Sequence, residues 1–246
     1  MKVRTVVLAL LTIVMGVVAY TTTDPQMLMS PSSIMILTWV GTVVLAGLLV
    51  MDLVGFSLTS IVDDYSTRDL LMLAALITVG GIIKAFWGQG RVFVEAATGP
   101  YGASIYGGGF VLWGVLANHV VRKPLVGTIS MVLGGIIEIL VGNPFGLPVL
   151  LFNAWEGLGP DIAYLTFRQK RYDMFVGMLG GVFSSLIGLV YGWVYFGIGA
   201  LTPTAGILFI ITSIIGGLLG GAGGYLVGEA LERFGVRRAA AVVIEG

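Results

Sequence analysis

The chain has 246 residues, of which 57% are hydrophobic and only 11% are charged. Its 13 Lys and Arg residues balance its 13 Asp and Glu residues, so the formal net charge is zero. This composition excludes a soluble fold, and the charge balance excludes a strongly electrostatic partner such as nucleic acid. The sequence has no cysteine and one histidine, so we expect no disulfide, no thiol chemistry and no conventional zinc site.

Apolar stretches fill the chain from one end to the other. Most of them approach the ~20 residues that a helix needs to cross a ~30 Å hydrocarbon core. The predicted spans are residues 3–20, 34–58, 69–87, 99–119, 125–142, 148–167, 174–197 and 204–228. We therefore predict an all-α polytopic membrane helix bundle with about eight transmembrane helices.

The basic residues between these spans predict the orientation. They precede the first span or follow the even-numbered ones: Lys2, Arg4, Arg68, Arg122, Lys123, Arg168, Lys170, Arg171, Arg233, Arg237 and Arg238. The alternate loops have no Lys or Arg, except that the predicted loop 88–98 has Arg91, offset by Glu95. Under the positive-inside rule, these charges predict a multi-pass plasma-membrane protein with both termini in the cytoplasm. Residues 1–20 lack a convincing signal-peptide cleavage site, so we expect them to be retained.

Polar linkers divide the chain into three predicted parts. Residues 1–66 would form two additional N-terminal transmembrane helices, 67–235 a compact six-helix membrane domain, and 236–246 a cytoplasmic tail. Prolines tolerated at helix starts mark four joints of the six-helix part. These joints are Gly99-Pro100, Lys123-Pro124, Asn143-Pro144 and Thr202-Pro203.

Small residues recur at helical spacing in two places. Gly216, Gly220, Gly224 and Gly228 are four residues apart, which allows close helix approach and favours packing within this protein over an intermolecular interface. Ala74 and Thr78 form a weaker pair, for which a docking groove for a partner helix is an alternative to ordinary packing.

Charged residues inside predicted spans are the main functional signal, since they usually face a cavity or a partner. Glu138 lies in the fifth span, and Glu156 lies in the sixth with Asn153 three residues earlier on the same helical face. Lys84 either snorkels to the interface or faces a cavity. We expect a structural role for three further acids in or near the spans, Asp52, Asp161 and Glu229. Asp161 is expected to pair with a base at the cytoplasmic end.

Aromatic residues accompany these acids. Tyr106, Phe110 and Trp113 are spaced to form one helical stripe, and Trp155 adjoins Glu156. Such stripes commonly serve packing or lipid contact, but together with the acids they suit a flat heteroaromatic ligand with amino groups or positive charge. No magnesium-diphosphate, Gly-x-Ser-x-Gly, Walker or His-metal motif is present, so we expect neither an enzyme nor a cofactor.

Several motifs of the six-helix part resemble a known family. They are Gly99-Pro100, Tyr106-Gly107, Arg122-Lys123-Pro124, Glu138, Gly142-Asn143-Pro144-Phe145-Gly146 and Glu156-Gly157-Leu158-Gly159-Pro160-Asp161. Over about residues 69–235 the chain resembles the substrate-binding (S) component of energy-coupling factor (ECF) transporters, of the hydroxymethylpyrimidine/thiamine (YkoE) type. It departs from that pattern in having Met131 in place of an acid, Glu156 in place of Gln, and glycines after Tyr106.

The resemblance implies a membrane subunit that captures thiamine or its hydroxymethylpyrimidine precursor at the outer face. Its partners would be a membrane coupling (T) subunit, which Ala74 and Thr78 would contact, and two ATPase subunits. The implied substrate-binding residues are Glu138, Asn153, Glu156, Tyr106, Phe110, Trp113 and Trp155. Two alternatives stay open: a proton-coupled secondary transporter of a small organic cation, with Glu138 and Glu156 as proton relay, and a structural subunit whose polar residues are mutually paired.

Overall fold

The computed structural model describes residues 65–195 and 202–236, together with Ile13. These residues form six helices and no strand, which confirms the all-α fold class. The helices are α1 (Thr67–Tyr106), α2 (Gly108–Val121), α3 (Val126–Val141), α4 (Pro148–Thr166), α5 (Met174–Tyr195) and α6 (Pro203–Arg233). Apart from the last residues of α5, they belong to one compact unit, Ser66–Gly192 with Ala200–Gly246. The two additional N-terminal helices predicted for 1–66, with Asp52, and residues 237–246 lie outside the described residues.

Helix α1 corrects the predicted loop at residues 88–98, because this segment continues the helix that begins at Thr67. Ser66 and Asp69 start α1 with a reciprocal capping box. Nothing in 88–98 breaks a helix, and Arg91 and Glu95 are four residues apart on one face, a spacing that supports helix. The regular part ends at Gly99, whose φ of 70° is accessible to glycine, and Pro100 begins the short last segment.

Two of the four proline joints mark helix starts as predicted. Pro203 is the first residue of α6, capped by Thr202, and Pro100 restarts the helix after the kink in α1. The other two prolines lie in turns before the next helix. Pro124 lies in the turn between Arg122 and Leu125, which both have positive φ. Pro144 precedes the start of α4 by four residues, because the Asn143 side chain accepts a hydrogen bond from Phe145 N (2.7 Å) and turns the chain.

The glycines of α6 pack inside the protein, as predicted. A Cβ added to Gly216 would lie 2.7 Å from the carbonyl oxygen of Ser104 in α1, and Gly220 approaches the backbone of Gly108 in α2. On the neighbouring face, a Cβ on Gly217 would lie 2.6 Å from the carbonyl oxygen of Gly181 in α5. Helix α6 therefore contacts three other helices at backbone distance, an approach that only small residues permit.

Large apolar side chains cover the outside of this bundle. Phe93 is 76% exposed and Leu140 is 80% exposed, with Leu71, Phe86, Val190 and Leu219 also well above half. By length and composition, three helical segments could cross a membrane: Thr67–Val121, Met174–Gly192 and Pro203–Arg233. The exposed apolar surface and these segments are those of a multi-pass membrane protein.

Candidate functional site

Three helices contribute to a buried polar network around Lys84. Lys84 on α1 and Glu138 on α3 are each 1% exposed, and Nζ lies 3.2 Å from Oε2. Lys84 also donates to Asn153 Oδ1 on α4 (2.6 Å), and Asn153 Nδ2 donates to Glu138 Oε2 (3.1 Å). The structure thus brings Glu138 and Asn153 together, as the sequence predicted. Lys84 is buried, so the alternative of snorkelling to the interface is wrong, and its contacts are with side chains of the protein.

Asn143, in the turn between α3 and α4, completes this network. Its Nδ2 donates to Glu138 Oε1, so both carboxylate oxygens accept hydrogen bonds. Gly88 on α1 provides the space, because a Cβ there would lie 2.8 Å from Asn143 Nδ2. The sequence drew attention to Asn143 only as part of a family motif, and its role as a partner of Glu138 required the structure.

Glu156 is buried like Glu138 but is differently surrounded. It is 5% exposed, and within the part of the chain that the structure describes its Oε2 has no hydrogen-bond partner. Gly188 on α5 accommodates the side chain, since a Cβ there would lie 2.9 Å from Glu156 Cγ. Lys84, Arg91 and Glu138 are close enough for their charges to act on Glu156. This oxygen is a buried acceptor that the described residues leave without a donor.

The predicted aromatic residues pack against α1. The ring of Tyr106 stacks on that of Trp87, with centroids 4.2 Å apart and planes 8° from parallel, and Trp87 Nε1 donates to the Tyr106 carbonyl (3.0 Å). Trp113 covers Gly80, where a Cβ would lie 2.7 Å from the indole ring, and Phe110 is buried. Trp155 is half-buried on the helix that carries Glu156.

One face of α1 carries residues that the sequence reasoning did not connect with Lys84. Trp87, Gly88 and Arg91 follow Lys84 at the spacing of a single helical face. The Arg91 guanidinium lies 5.4 Å from the ring centroid of Phe145 in the α3–α4 turn. This face escaped prediction because 88–98 was read as a loop. The three- and four-residue spacing from Lys84 was the available signal.

Asp161 on α4 has the structural role that its position predicted, but not the predicted partner. It accepts hydrogen bonds from Asn118 Nδ2 (2.9 Å) on α2 and from the backbone N–H groups of Gly127 and Thr128 (both 2.8 Å), and a further one from Thr128 Oγ1 (2.6 Å). These donors are neutral, so the expected pairing with a base is wrong. The carboxylate instead compensates the unpaired N–H groups in the first turn of α3.

A second group of ionisable residues joins α2 to α6. His119 Nε2 lies 3.5 Å from Glu229 Oε1 and 3.7 Å from Glu232 Oε1, and Arg122 donates to Glu232 at 2.7 Å. Three side chains of this group have the spacing of possible metal ligands. Arg122 already supplies the positive charge that Glu232 needs, so the arrangement is explained as a structural ion-pair cluster. Glu229 thereby takes the structural role expected from the sequence.

Comparisons with known proteins cover the described helices. Residues 68–187 match the family described as "ABC-type cobalt transport system, permease component". The chain is 27% identical over 175 residues to YkoE of Bacillus subtilis (strain 168), named as an HMP/thiamine permease protein, covering 70% of this chain and 87% of that one. A crystal structure of an S-component of an ECF transporter superposes with a TM-score of 0.68 at 24% identity, over 74% of this chain and 93% of that chain. These relatives are described as transporter components and not as enzymes, in agreement with the expectation from the sequence.

Proposed function

We propose that the chain is an S-component-type membrane protein of the YkoE type, which captures thiamine or its hydroxymethylpyrimidine precursor. The observation that carries the proposal is the buried Glu156 carboxylate, whose Oε2 has no partner among the described residues. A buried acceptor of this kind costs free energy until a donor reaches it. The amino group of a pyrimidine is such a donor.

The surroundings of Glu156 support a flat heterocyclic ligand. Asn153 lies one helical turn before Glu156 and donates to Glu138, while Trp87, three residues after Lys84 on α1, stacks with Tyr106. Aromatic surface beside a few convergent polar groups is the usual composition of a small-molecule site. The proposed site keeps the predicted residues, with Glu138 included as the carboxylate that accepts from Asn153 Nδ2. The others are Asn153, Glu156, Tyr106, Phe110, Trp113 and Trp155.

We extend the proposal to the partners and the orientation. Ala74 and Thr78 are both exposed on α1, and Thr78 Oγ1 donates to the Ala74 carbonyl (2.8 Å), so the hydroxyl is satisfied within the helix. The resulting smooth surface of small residues suits close packing against a helix of a membrane coupling subunit. Two ATPase subunits would supply energy from the cytoplasm, with the ligand entering at the outer face.

Titration calorimetry on the purified chain in detergent tests capture, with thiamine and hydroxymethylpyrimidine measured separately. Saturable binding of either compound by the folded chain alone supports the proposal, and no binding of either rejects the vitamin assignment. Uptake into proteoliposomes then separates the modes of transport. ATP-dependent uptake only with the coupling and ATPase subunits supports an S component. Uptake by the chain alone that stops when the proton gradient is collapsed supports a secondary transporter instead.

A further inference from the structure

We infer that Lys84 determines ligand specificity by neutralising Glu138, so that Glu156 is the one carboxylate of this site that meets the ligand. The inference deepens the proposed function and rests on it. It reassigns Glu138 from ligand contact to the internal partner of a lysine, and it gives a role to Lys84, which sequence reasoning left between two readings.

The donors of Lys84 are directed at groups of the protein. An ammonium group has three donors. Its Nζ lies 3.2 Å from Glu138 Oε2, 2.6 Å from Asn153 Oδ1 and 3.9 Å from Met131 Sδ. With three contacts for three N–H bonds and 1% exposure, this ammonium is held inside the bundle and is not presented to a ligand.

The acceptors of Glu138 are likewise used within the protein. Its Oε2 accepts from Lys84 and Asn153, and its Oε1 accepts from Asn143. The carboxylate is 1% exposed, and its negative charge has a positive charge in direct contact. A ligand donor that bound Glu138 would have to displace one of these partners and leave it buried without a hydrogen bond, which is unfavourable.

Glu156 differs from Glu138 in its partners, and this difference bears on ligand specificity. No ion pair within 4 Å is found for it among the described residues, and its Oε2 is buried without a hydrogen-bond partner. A ligand in this site therefore meets one acid with an open acceptor, and not two. We expect a preference for ligands with one amino or cationic group directed at Glu156.

Four variants test the assignment: Lys84→Met, Glu138→Gln, the double variant of both, and Glu156→Gln. Affinities are measured for thiamine, which carries a permanent positive charge, and for neutral hydroxymethylpyrimidine. The readout is the ratio of the two dissociation constants in each variant. A ratio is insensitive to a general loss of folded protein, which would weaken both ligands alike.

The pyrimidine amino group is common to both ligands, whereas the positive charge of thiamine lies on its thiazolium ring, so the ratio reports on the charge of Glu156. Glu156→Gln removes that charge and is expected to change the ratio against thiamine by about tenfold, the scale of an interaction between two partly buried charges. The double variant removes a neutral pair, so its ratio is expected to stay within about threefold of the wild type, well below that effect. If the double variant shifts the ratio as far as Glu156→Gln does, Glu138 meets the ligand and the inference is overturned.

Melting temperatures of the same variants test the pairing independently of any ligand. Each single variant leaves one charge buried alone, so both are expected to melt below the double variant. If the melting temperature of the double variant falls by the sum of the two single-variant decreases, the pairing is refuted. If the folded wild type binds neither compound, the proposed function fails together with the ligand part of the inference, while the melting data still decide whether Lys84 neutralises Glu138.

Discussion

Replacing Gly217 by Ala tests the close packing of α6 against α5. The new Cβ would lie 2.6 Å from the Gly181 carbonyl oxygen and 2.7 Å from Ser185 Oγ, whereas ordinary contacts begin near 3.4 Å. The helices must separate by several tenths of an ångström, and overpacking of this kind costs about 1–3 kcal/mol. Ala in place of Gly within a helix returns about 1 kcal/mol, so we expect a net loss of about 0–2 kcal/mol.

Gly223→Ala on the same helix is the matched control. Its Cβ would meet only the end of the Leu112 side chain, at 3.1 Å, and that side chain can rotate away. Both variants receive the same gain in helix propensity, so their difference isolates the steric cost of about 1–3 kcal/mol. Equilibrium unfolding in mixed detergent micelles, followed by circular dichroism, measures both. Equal stabilities for Gly217→Ala and Gly223→Ala would show that the α5–α6 contact is looser than described.

Three further changes give distinct outcomes. Asp161→Asn replaces one acceptor oxygen with an NH2 donor that faces the N–H groups of α3. The same unfolding assay is expected to show a free energy of unfolding lower by about 1–3 kcal/mol. No decrease would refute the capping role. Asn143→Ala removes the donor to Glu138 Oε1 and should cost a similar amount, whereas Asn143→Asp should cost more because two carboxylates would face each other. Thr78→Leu should abolish ATP-dependent uptake with the coupling subunit while leaving calorimetric ligand affinity unchanged, and unimpaired uptake would reject the docking surface.

The helices of this protein were predictable where apolar runs end at polar or helix-breaking residues. Helices α3 and α4 begin and end within one residue of the predicted spans, and α5 begins at the predicted residue, since charges, glycines or prolines lie at these boundaries. The boundary after residue 87 was wrong because Arg91 and Glu95 suggested an aqueous loop. In the structure the same two charges lie on a continuing helix, and hydropathy alone does not distinguish these cases.

For the side chains of the candidate site, the sequence predicted burial but not the pairing between residues. Burial of Glu138 and Glu156 followed from their positions in apolar spans, and the proximity of Asn153 followed from its spacing to Glu156. The partner of each acid did not follow, because pairing depends on which face of α1 turns inward. Lys84 is 54 residues from Glu138 in sequence, and only the packing of α1 against α3 brings them into contact. Among the described residues, the same packing leaves Glu156 without such a partner.

The unbroken part of α1, from Thr67 to Thr98, has a consequence for the route by which a ligand arrives. At 1.5 Å per residue it is about 48 Å long, which exceeds a ~30 Å hydrocarbon core by about three turns. Lys84 lies about 26 Å along it from Thr67. If Thr67 is at one boundary of the hydrocarbon core, the polar network lies only a few ångströms below the opposite boundary. The proposed ligand would then reach the network from that side, with most of the hydrocarbon core beneath it.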